Sequence, residues 1–179
     1  MNENGLNYID LFAGAGGLSE GFIQSGYRPI AHVEMNEHAA KTIETRIAYY
    51  YLKDNGKIKS YYDYEKGKIT REQLLDKIPK EELKTVINEE MSEATIKGIF
   101  NTIDDIKREK EIDKIDVIIG GPPCQAYSLV GRAQSSHMIV PMEDDPRNEL
   151  YKMYVQFLKK YKPRMFVFEN VAGIKRWNW

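Results

Sequence analysis

Short runs of apolar residues alternate along the chain with longer segments in which apolar residues recur at helical spacing. The strand-like runs occur at 7–12, 30–33, 115–119 and 165–168. Helical spacing predicts one helix that ends at Gly26, a second that begins after Asn36, and a third that passes through Leu150. Because this alternation is typical of sheets covered by helices on both faces, it predicts an α/β fold with a mostly parallel sheet.

The segment from about 53 to 98 is the least regular part of the pattern. It is rich in charged residues, contains several tyrosines and has no long apolar run. Thr70 and Gln73 have the spacing of a capping box, which predicts a short helix through Leu74 and Ile78. We interpret this segment as an inserted helical element.

Composition and charge narrow the possible functions. The chain of 179 residues has a formal net charge of −1 and a pI of about 6.3, without a distinct cluster of Lys and Arg. Phosphate binding depends on such clusters, so most of the affinity for any nucleic acid must come from outside this chain. Cys124 is the single cysteine, which excludes an intramolecular disulfide. With no secretion signal and no apolar run of about eighteen residues, the sequence favours a cytoplasmic protein.

A glycine-rich loop separates the first predicted strand from the first predicted helix. Its glycines, Gly14, Gly16, Gly17 and Gly21, let the backbone approach a ligand near the free N–H groups of a helix start. Ser19 replaces the third glycine of the dinucleotide motif, so a plain tight turn is an alternative interpretation. Glu34 follows the second strand, where nucleotide-binding domains place a carboxylate against ribose hydroxyls. The glycine loop and Glu34 together favour an adenosine-containing ligand, although Glu34 alone could equally be a solvated loop residue.

Cys124 follows the strand DVIIGG and two prolines that hold the backbone extended. A thiol fixed at the carboxyl end of a strand is a candidate nucleophile, whereas a lone cysteine is also a common buried hydrophobe. Glu169 and Asn170 end the last strand, and a carboxyl group after four apolar residues is a candidate proton donor. A capping or surface role is the alternative for Glu169. We expect Glu169 to lie beside the GGPPC segment, because parallel strands end at one edge of the sheet.

These motifs together resemble one protein family. DLFAGAGGLSEGF, Glu34-Met35, Asp105-Ile106, GGPPCQAYS, DDPRNELY and FENV are similar, in this order, to the successive motifs of cytosine carbon-5 DNA methyltransferases. The similarity extends from Asp10 to about Val171. It implies the Rossmann-like fold of S-adenosylmethionine-dependent methyltransferases, incomplete here at the C-terminus. It also implies S-adenosyl-L-methionine as cofactor, no metal, double-stranded DNA as substrate, and a place in a bacterial restriction-modification system.

The resemblance further implies roles for individual residues. Cys124 would attack carbon 6 of a flipped cytosine, Glu169 would act at ring nitrogen 3, and Asn170 and Pro123 would orient the base and the thiol loop. The cofactor-binding residues would be Phe12, Ala13, Gly14, Gly16, Gly17, Leu18, Glu34, Met35, Asp105, Ile106, Gly121 and Leu150. Glu34 would bind the ribose and Asp105 the adenine amino group. The DNA-contacting residues would be Gln125, Ser128 and Arg132.

Two departures from the family pattern set further expectations. The segment at 53–98 makes the chain longer here than a compact family member needs, with a partner or DNA contact as candidate roles. The family's Gln-x-Arg-x-Arg segment, its target-recognition region and its C-terminal segment do not occur before Trp179. We therefore expect 1–179 to be a partial catalytic domain, either a fragment or a split subunit that needs a second polypeptide. Such a chain is expected to bind the cofactor weakly and to have no turnover alone.

Two other functions stay open at this point. One is a family member that methylates cytosine in transfer RNA, and the other is a non-catalytic module that retains the fold. The presence of Cys124, Glu169 and Asn170 argues against the second, because binding alone needs none of them.

Overall fold

Five strands and seven helices make up the described part of the chain, which is residues 5–122 and 150–169 of a computed structural model. The strands are β1 (Asn7–Leu11), β2 (Arg28–Val33), β3 (Val86–Ile87), β4 (Val117–Gly120) and β5 (Met165–Phe168). The helices are α1 (Gly17–Gln24), α2 (Glu37–Asp54), α3 (Lys59–Glu65), α4 (Arg71–Leu75), α5 (Lys80–Leu83), α6 (Ile96–Glu109) and α7 (Leu150–Tyr161). None of these helices is both long and apolar enough to cross a membrane.

The strands form one parallel sheet with the order β3-β2-β1-β4-β5. This confirms the predicted α/β fold, and the four predicted strands agree with the observed ones to within two residues. The chain moves outward from β1 through β2 to β3 and then returns to the other side of β1 for β4. Ligands of such sheets bind at the carboxyl ends of the strands, where the order reverses. The ends of β1 and β4 flank this position.

Alternate side chains of β1 face opposite sides of the sheet and contact different helices. Ile9 and Leu11 belong to the main hydrophobic core, which α6 and α7 complete with Ile99, Ile103, Ile106, Met153, Tyr154 and Phe157. Tyr8 faces the other side and packs against Phe22 of α1, with ring centroids 5.4 Å apart. Coverage of both faces explains why the strands are almost continuously apolar.

Polar contacts fix the start of β1 against the start of β4. The Asn7 backbone N–H donates to the Asp116 carboxylate at 3.0 Å, and the Asp116 N–H donates to the Asn7 side-chain oxygen at 3.0 Å. The Asn7 amide also donates to the Lys114 carbonyl at 2.8 Å. These reciprocal bonds set the register that pairs Tyr8 with Val117.

The helices α3 and α4 pack on α2 through a core of their own. This core contains Ala48, Leu52, Leu74 and Ile78, with Tyr51, Tyr61 and Tyr64 against it. The predicted capping box is confirmed, since Gln73 N–H donates to the Thr70 hydroxyl at 3.3 Å and Thr70 N–H donates to the Gln73 side chain at 2.9 Å. This part of the chain is therefore a helical layer outside α2.

The predicted helical insertion at about 53–98 includes β3, which belongs to the sheet. The His32 N–H donates to the Thr85 carbonyl at 2.7 Å, and the Glu34 N–H donates to the Ile87 carbonyl at 3.1 Å. A strand of two residues is too short to show an alternating pattern in the sequence. The helical layer ends before β3, and α6 then returns the chain to β4.

Candidate active site

A cavity of about 670 Å³ opens at the carboxyl ends of β1 and β2. The glycine loop, the residues after β2, the residues after β3 and the first turn of α7 form its walls. Six of its lining residues are among those that the family resemblance predicts: Phe12, Gly14, Glu34, Met35, Gly121 and Leu150. A volume of this size is typical of small-molecule sites.

The glycine loop turns sharply between β1 and α1. Phe12, Gly14 and Gly16 have left-handed backbone conformations, with φ of 56°, 55° and 79°. Gly16 N–H donates to the Ala13 carbonyl at 2.9 Å, and Ala13 N–H donates to the Val33 carbonyl at 3.1 Å. Near Gly14 a Cβ atom would contact nothing within 4 Å, so this side of the loop is open. The loop thus presents bare backbone to the cavity.

Glu34 is oriented by the backbone on both sides of it. One carboxylate oxygen accepts from Gly14 N–H at 2.7 Å, and the other accepts from Asn36 N–H at 2.7 Å. Its side chain lines the cavity, although the residue is only 9% exposed. A carboxylate has about four acceptor positions, so each oxygen keeps one for a ligand. This geometry suits a pair of neighbouring hydroxyl groups.

The loop after β3 supplies a wall that sequence reasoning missed. The Asn88 amide donates to the Glu34 carbonyl at 2.8 Å and to the Met35 carbonyl at 3.1 Å, which joins this loop to the end of β2. The cavity-lining residues of this loop are Glu89, Glu90, Met91, Ser92 and Glu93. The sequence signal for this wall is that the acidic segment NEEM, residues 88–91, directly follows a strand. That strand is too short to be recognised from its pattern.

Apolar side chains complete the cavity. Met35 is 62% exposed, an unusual state for a large apolar residue beside a well-formed cavity. Leu150 and Met153 of α7 line the cavity too, with Met91 from the loop after β3. Met153 and Asn36 were not among the predicted site residues. The cavity therefore combines an apolar surface with a few fixed carboxylates.

The ends of β4 and β5 meet beside this cavity, as expected from their parallel pairing. Glu169 N–H donates to the Gly120 carbonyl at 3.0 Å. A Cβ atom at Gly121 would lie 2.6 Å from the Glu169 carboxylate and 2.3 Å from its backbone oxygen, closer than real Cβ contacts. A Cβ at Gly120, where φ is 137°, would lie 1.9 Å from the Leu11 carbonyl oxygen. The two glycines thus allow three strand ends to converge.

Ser19, at the position of the missing third glycine, has a structural role. Its hydroxyl lies 2.9 Å from His32 Nε2 and forms a hydrogen bond with the Tyr8 hydroxyl, and all three side chains are buried. The network ties the first turn of α1 to β1 and β2. Burial, reinforced by the positive charge of Arg46, lowers the pKa of His32 to about 4. His32 is therefore neutral near pH 7.

Asp10 is a second buried polar residue at this edge. It is 1% exposed, and its Oδ2 atom has no hydrogen-bond partner among the described residues. Burial raises the pKa of Asp10 to about 8, and the negative charge of Glu34 acts in the same direction. The carboxyl group of Asp10 is therefore mostly protonated near pH 7.

Two predicted cofactor residues do not lie at the cavity. Asp105 lies on an exposed part of α6, where it forms an ion pair with Arg108 at 2.9 Å. Ile106 is 3% exposed and belongs to the main hydrophobic core. The chain enters the cavity after β3, before α6 begins, and neither residue lines the cavity, so their contact with adenine stays a prediction. The pair Asp-Ile in the sequence resembled a motif that the fold places elsewhere.

The other predicted residues fall into two groups. Ala13, Gly16, Gly17 and Leu18 shape the loop and the start of α1 without lining the cavity. The rest lie outside the described residues: Pro123, Cys124, Gln125, Ser128, Arg132 and Asn170. Across 5–122 and 150–169, no group of three or more His, Cys, Asp or Glu side chains could hold a metal ion.

Comparison with known proteins agrees with this arrangement. The curated relatives are named type II methyltransferases. M.Bpa9945I of Bacillus paralicheniformis is 37% identical over an alignment of 183 residues. The alignment covers 93% of this chain and 40% of that protein. M1.HphI of Haemophilus parahaemolyticus is 32% identical, with 94% of this chain and 33% of that protein covered. M.DdeI of Desulfomicrobium norvegicum is 31% identical, with 94% and 28% covered.

This chain therefore spans less than half the length of each of these relatives. The model of the family described as C-5 cytosine-specific DNA methylase matches residues 6–87 and 80–178, which is nearly all of the chain. The chain belongs to the C-5 cytosine-specific DNA methylase family.

Proposed function

We propose that this chain carries the cofactor site and the nucleophile of a DNA (cytosine-5-)-methyltransferase of a bacterial restriction-modification system. The observation that carries the proposal is that Glu34, which accepts from Gly14 N–H under the glycine loop, lines the same cavity as Gly121, against which Glu169 packs. A cofactor site and a candidate proton donor thus share one edge of the sheet. Family membership and the type II names of the relatives support the same activity.

S-adenosyl-L-methionine fits the cavity in charge and shape. The two free acceptor positions of Glu34 match the two ribose hydroxyls, and Met35 offers a thioether surface for adenine. The carboxylates of Glu34, Glu89, Glu90 and Glu93 suit a ligand that carries a positively charged sulfonium. In place of Asp105, we assign the adenine amino contact to the loop after β3, where acceptors line the cavity.

The reaction divides between the cofactor and two side chains of this chain. Bound S-adenosyl-L-methionine supplies a methyl group on an electrophilic sulfonium. Cys124, as thiolate, adds to carbon 6 of a cytosine that has been flipped out of the duplex. Glu169 holds a proton at ring nitrogen 3, so the negative charge of the addition is stabilised and carbon 5 becomes nucleophilic. Loss of the carbon-5 proton after methylation lets the Cys124 sulfur leave.

The remaining predicted residues have supporting roles in this proposal. Pro123 stiffens the segment that carries the thiol, and Asn170 orients the base beside Glu169. DNA contacts come from Gln125, Ser128 and Arg132, and most of the grip on phosphates comes from outside this chain, whose net charge is −1. The protein acts in the cytoplasm, where its DNA substrate is found.

We also propose that a second polypeptide completes the enzyme. In the sheet formed by the described residues, β5 is an edge strand, and its Met165 and Phe166 are 47% and 54% exposed. An exposed apolar edge strand is a site for pairing with further strands.

The test is tritiated methyl transfer to mixed-sequence duplex DNA, measured with the chain alone and with the product of an adjacent gene. We expect transfer that needs the second polypeptide and is lost in Cys124→Ser. Transfer that persists in Cys124→Ser would contradict the thiolate mechanism, and efficient turnover by the chain alone would contradict the need for a partner. Methylation of transfer RNA but not of duplex DNA would favour the RNA enzyme instead.

A further inference from the structure

The glycine loop contacts a group of polar residues outside the cavity, centred on Arg46 of α2. The Arg46 guanidinium donates to the Ala15 carbonyl at 3.3 Å and forms an ion pair with Glu20 of α1. The Tyr50 hydroxyl donates to the same carboxylate, and the Gln24 amide donates to it at 2.8 Å. We propose that Arg46 is a positioning residue that holds the glycine loop in its cofactor-binding conformation, an inference that rests on the proposed function.

The side chain of Arg46 lies next to Gly16 of the loop. A Cβ atom at Gly16 would lie 3.5 Å from Arg46 Nε and 3.4 Å from Ile43 Cγ1. Arg46 Nε is buried and has no hydrogen-bond partner among the described residues, so this part of the side chain is held by packing. The guanidinium therefore lies directly against the turn that precedes α1.

The loop is thus held at two consecutive residues by two different elements. Glu34, which lines the cavity, accepts from Gly14 N–H at 2.7 Å, and Arg46, which does not, donates to the carbonyl of Ala15. Fixing both groups before a ligand arrives lowers the conformational entropy that binding must remove. Because Gly14 and its neighbours have wide backbone freedom, this loop gains more from such ties than an ordinary turn.

The charge of Glu20 makes the tie persistent. Burial raises the pKa of Glu20, but the hydrogen bonds from Tyr50, Gln24 and Arg46 outweigh it and hold the pKa below its usual value. The carboxylate therefore stays ionised at neutral pH and keeps Arg46 in place. Glu20 lies within α1, so the same ion pair also fixes the helix that follows the loop.

Arg71 of α4 provides a matched control in the same cleft, a concavity of about 620 Å³. It forms an ion pair with Glu44 and donates to the Lys41 carbonyl at 3.3 Å, so its bonds are of the same kind as those of Arg46. The side chains of Arg46 and Arg71 are 29% and 25% exposed. The partners of Arg71 belong to α2, however, and not to the glycine loop.

The experiment compares Arg46→Gln with Arg71→Gln in the full chain, with its second polypeptide if one is needed. Binding of S-adenosyl-L-homocysteine is titrated by calorimetry, and thermal midpoints are measured in parallel. We expect both variants to lose similar thermal stability. Arg46→Gln should raise the Kd about tenfold, whereas Arg71→Gln should change it by less than about twofold. Equal Kd values for the two variants would overturn the inference.

Hydrogen exchange of the amides at 13–18 tests the positioning without any ligand. We expect these amides to exchange faster in Arg46→Gln than in Arg71→Gln, and equal rates would overturn the inference. A parent chain that binds no S-adenosyl-L-homocysteine would contradict the proposed function. The exchange rates would then decide the role of Arg46 on their own, so the two failures are distinguishable.

Discussion

The cavity at the strand ends and the tyrosine-lined cleft on α2 have nearly the same volume, about 670 and 620 Å³, but differ in how their polar groups are used. In the cavity, Glu34 is fixed by backbone N–H groups and retains free acceptor positions. In the cleft, Arg46 and Arg71 are each paired with a glutamate. Size alone therefore does not identify a binding site.

The apolar groups differ in the same way. Met35 lies 62% exposed at the cavity, whereas Tyr49 and Tyr61 in the cleft contact each other edge to face with ring centroids 5.0 Å apart. In the cavity, hydrogen-bonding positions and apolar surface remain available to a ligand. In the cleft, most of the corresponding groups already contact one another. Polar groups that are oriented but unsaturated are what distinguish a ligand site from a packing defect.

The largest effect is expected from the glycines at the cavity edge. A Cβ in Gly120→Ala would meet the Leu11 carbonyl oxygen at 1.9 Å, so the backbone of β4 or β1 must move. We expect a loss of at least about 3 kcal/mol in the free energy of unfolding, measured by urea denaturation. Gly98→Ala in α6 is the control, since a Cβ there contacts nothing within 4 Å. It should gain about 0.5–1 kcal/mol, and equal effects would show that the edge is not close-packed.

Glu34→Gln tests whether the cavity, and not the cleft, binds the cofactor. The glutamine amide directs an N–H₂ group at Gly14 N–H or Asn36 N–H, so one backbone donor loses its acceptor. We expect binding of S-adenosyl-L-homocysteine to weaken about 30-fold, from the loss of a charged hydrogen bond. Glu44→Gln removes the carboxylate that pairs with Arg71 of the cleft and should leave the Kd within about twofold of the parent value. A similar loss in both would mean that the cavity is not the cofactor site.

The two buried groups Asp10 and His32 have pKa values that are shifted in opposite directions. The pKa of Asp10 is raised from 3.8 to about 8, so its contribution to stability is present below its unfolded pKa and lost as pH rises through 8. In the parent chain, the unfolding free energy should fall between pH 6.5 and 8 by up to about 1.4 kcal/mol per pH unit. Asp10→Asn should remove this decline. The lowered pKa of His32 acts mainly between pH 4 and 6.5, where it makes the unfolding free energy rise with pH.

The smallest effect is expected in the helical layer. Thr70→Ala removes the hydroxyl that accepts from Gln73 N–H, and we expect it to lower the unfolding free energy by about 1 kcal/mol. The Kd for S-adenosyl-L-homocysteine should not change, because α4 does not border the cavity. Thr42→Ala in α2 is a control, since its hydroxyl bonds a carbonyl within the same helix. A changed Kd in Thr70→Ala would link this layer to the cofactor site.

Much of the fold and part of the site follow from the sequence. The strands β1, β2, β4 and β5 have mostly apolar runs, and Asn36 and Thr70 are helix caps in the structure as predicted. Side chains next to these strands were therefore placed correctly, among them Glu34 at the cavity. A local pattern was sufficient wherever the element was long enough to show one.

The sequence-based predictions missed features where an element is too short to show a pattern or where a role depends on tertiary contacts. β3 has two residues, so neither it nor the acidic loop after it was recognised, and the adenine contact was assigned to Asp105 in α6. Ser19 seemed a defect in a glycine motif, but its role depends on His32 and Tyr8, which only the fold brings near. Arg46 lies in a helix with no motif, and its contact with Ala15 spans 31 residues.

The pairing of β1 with β4 has a consequence for the synthesis of the protein. Tyr8 pairs with Val117, so β1 emerges from the ribosome well before its second neighbour exists. At 5–20 residues per second, the ~110 intervening residues take about 5–20 s to translate. During that interval the most central strand has one edge without a partner, and its apolar side chains are open to wrong contacts. The nascent chain is therefore most in need of a chaperone before β4 is made.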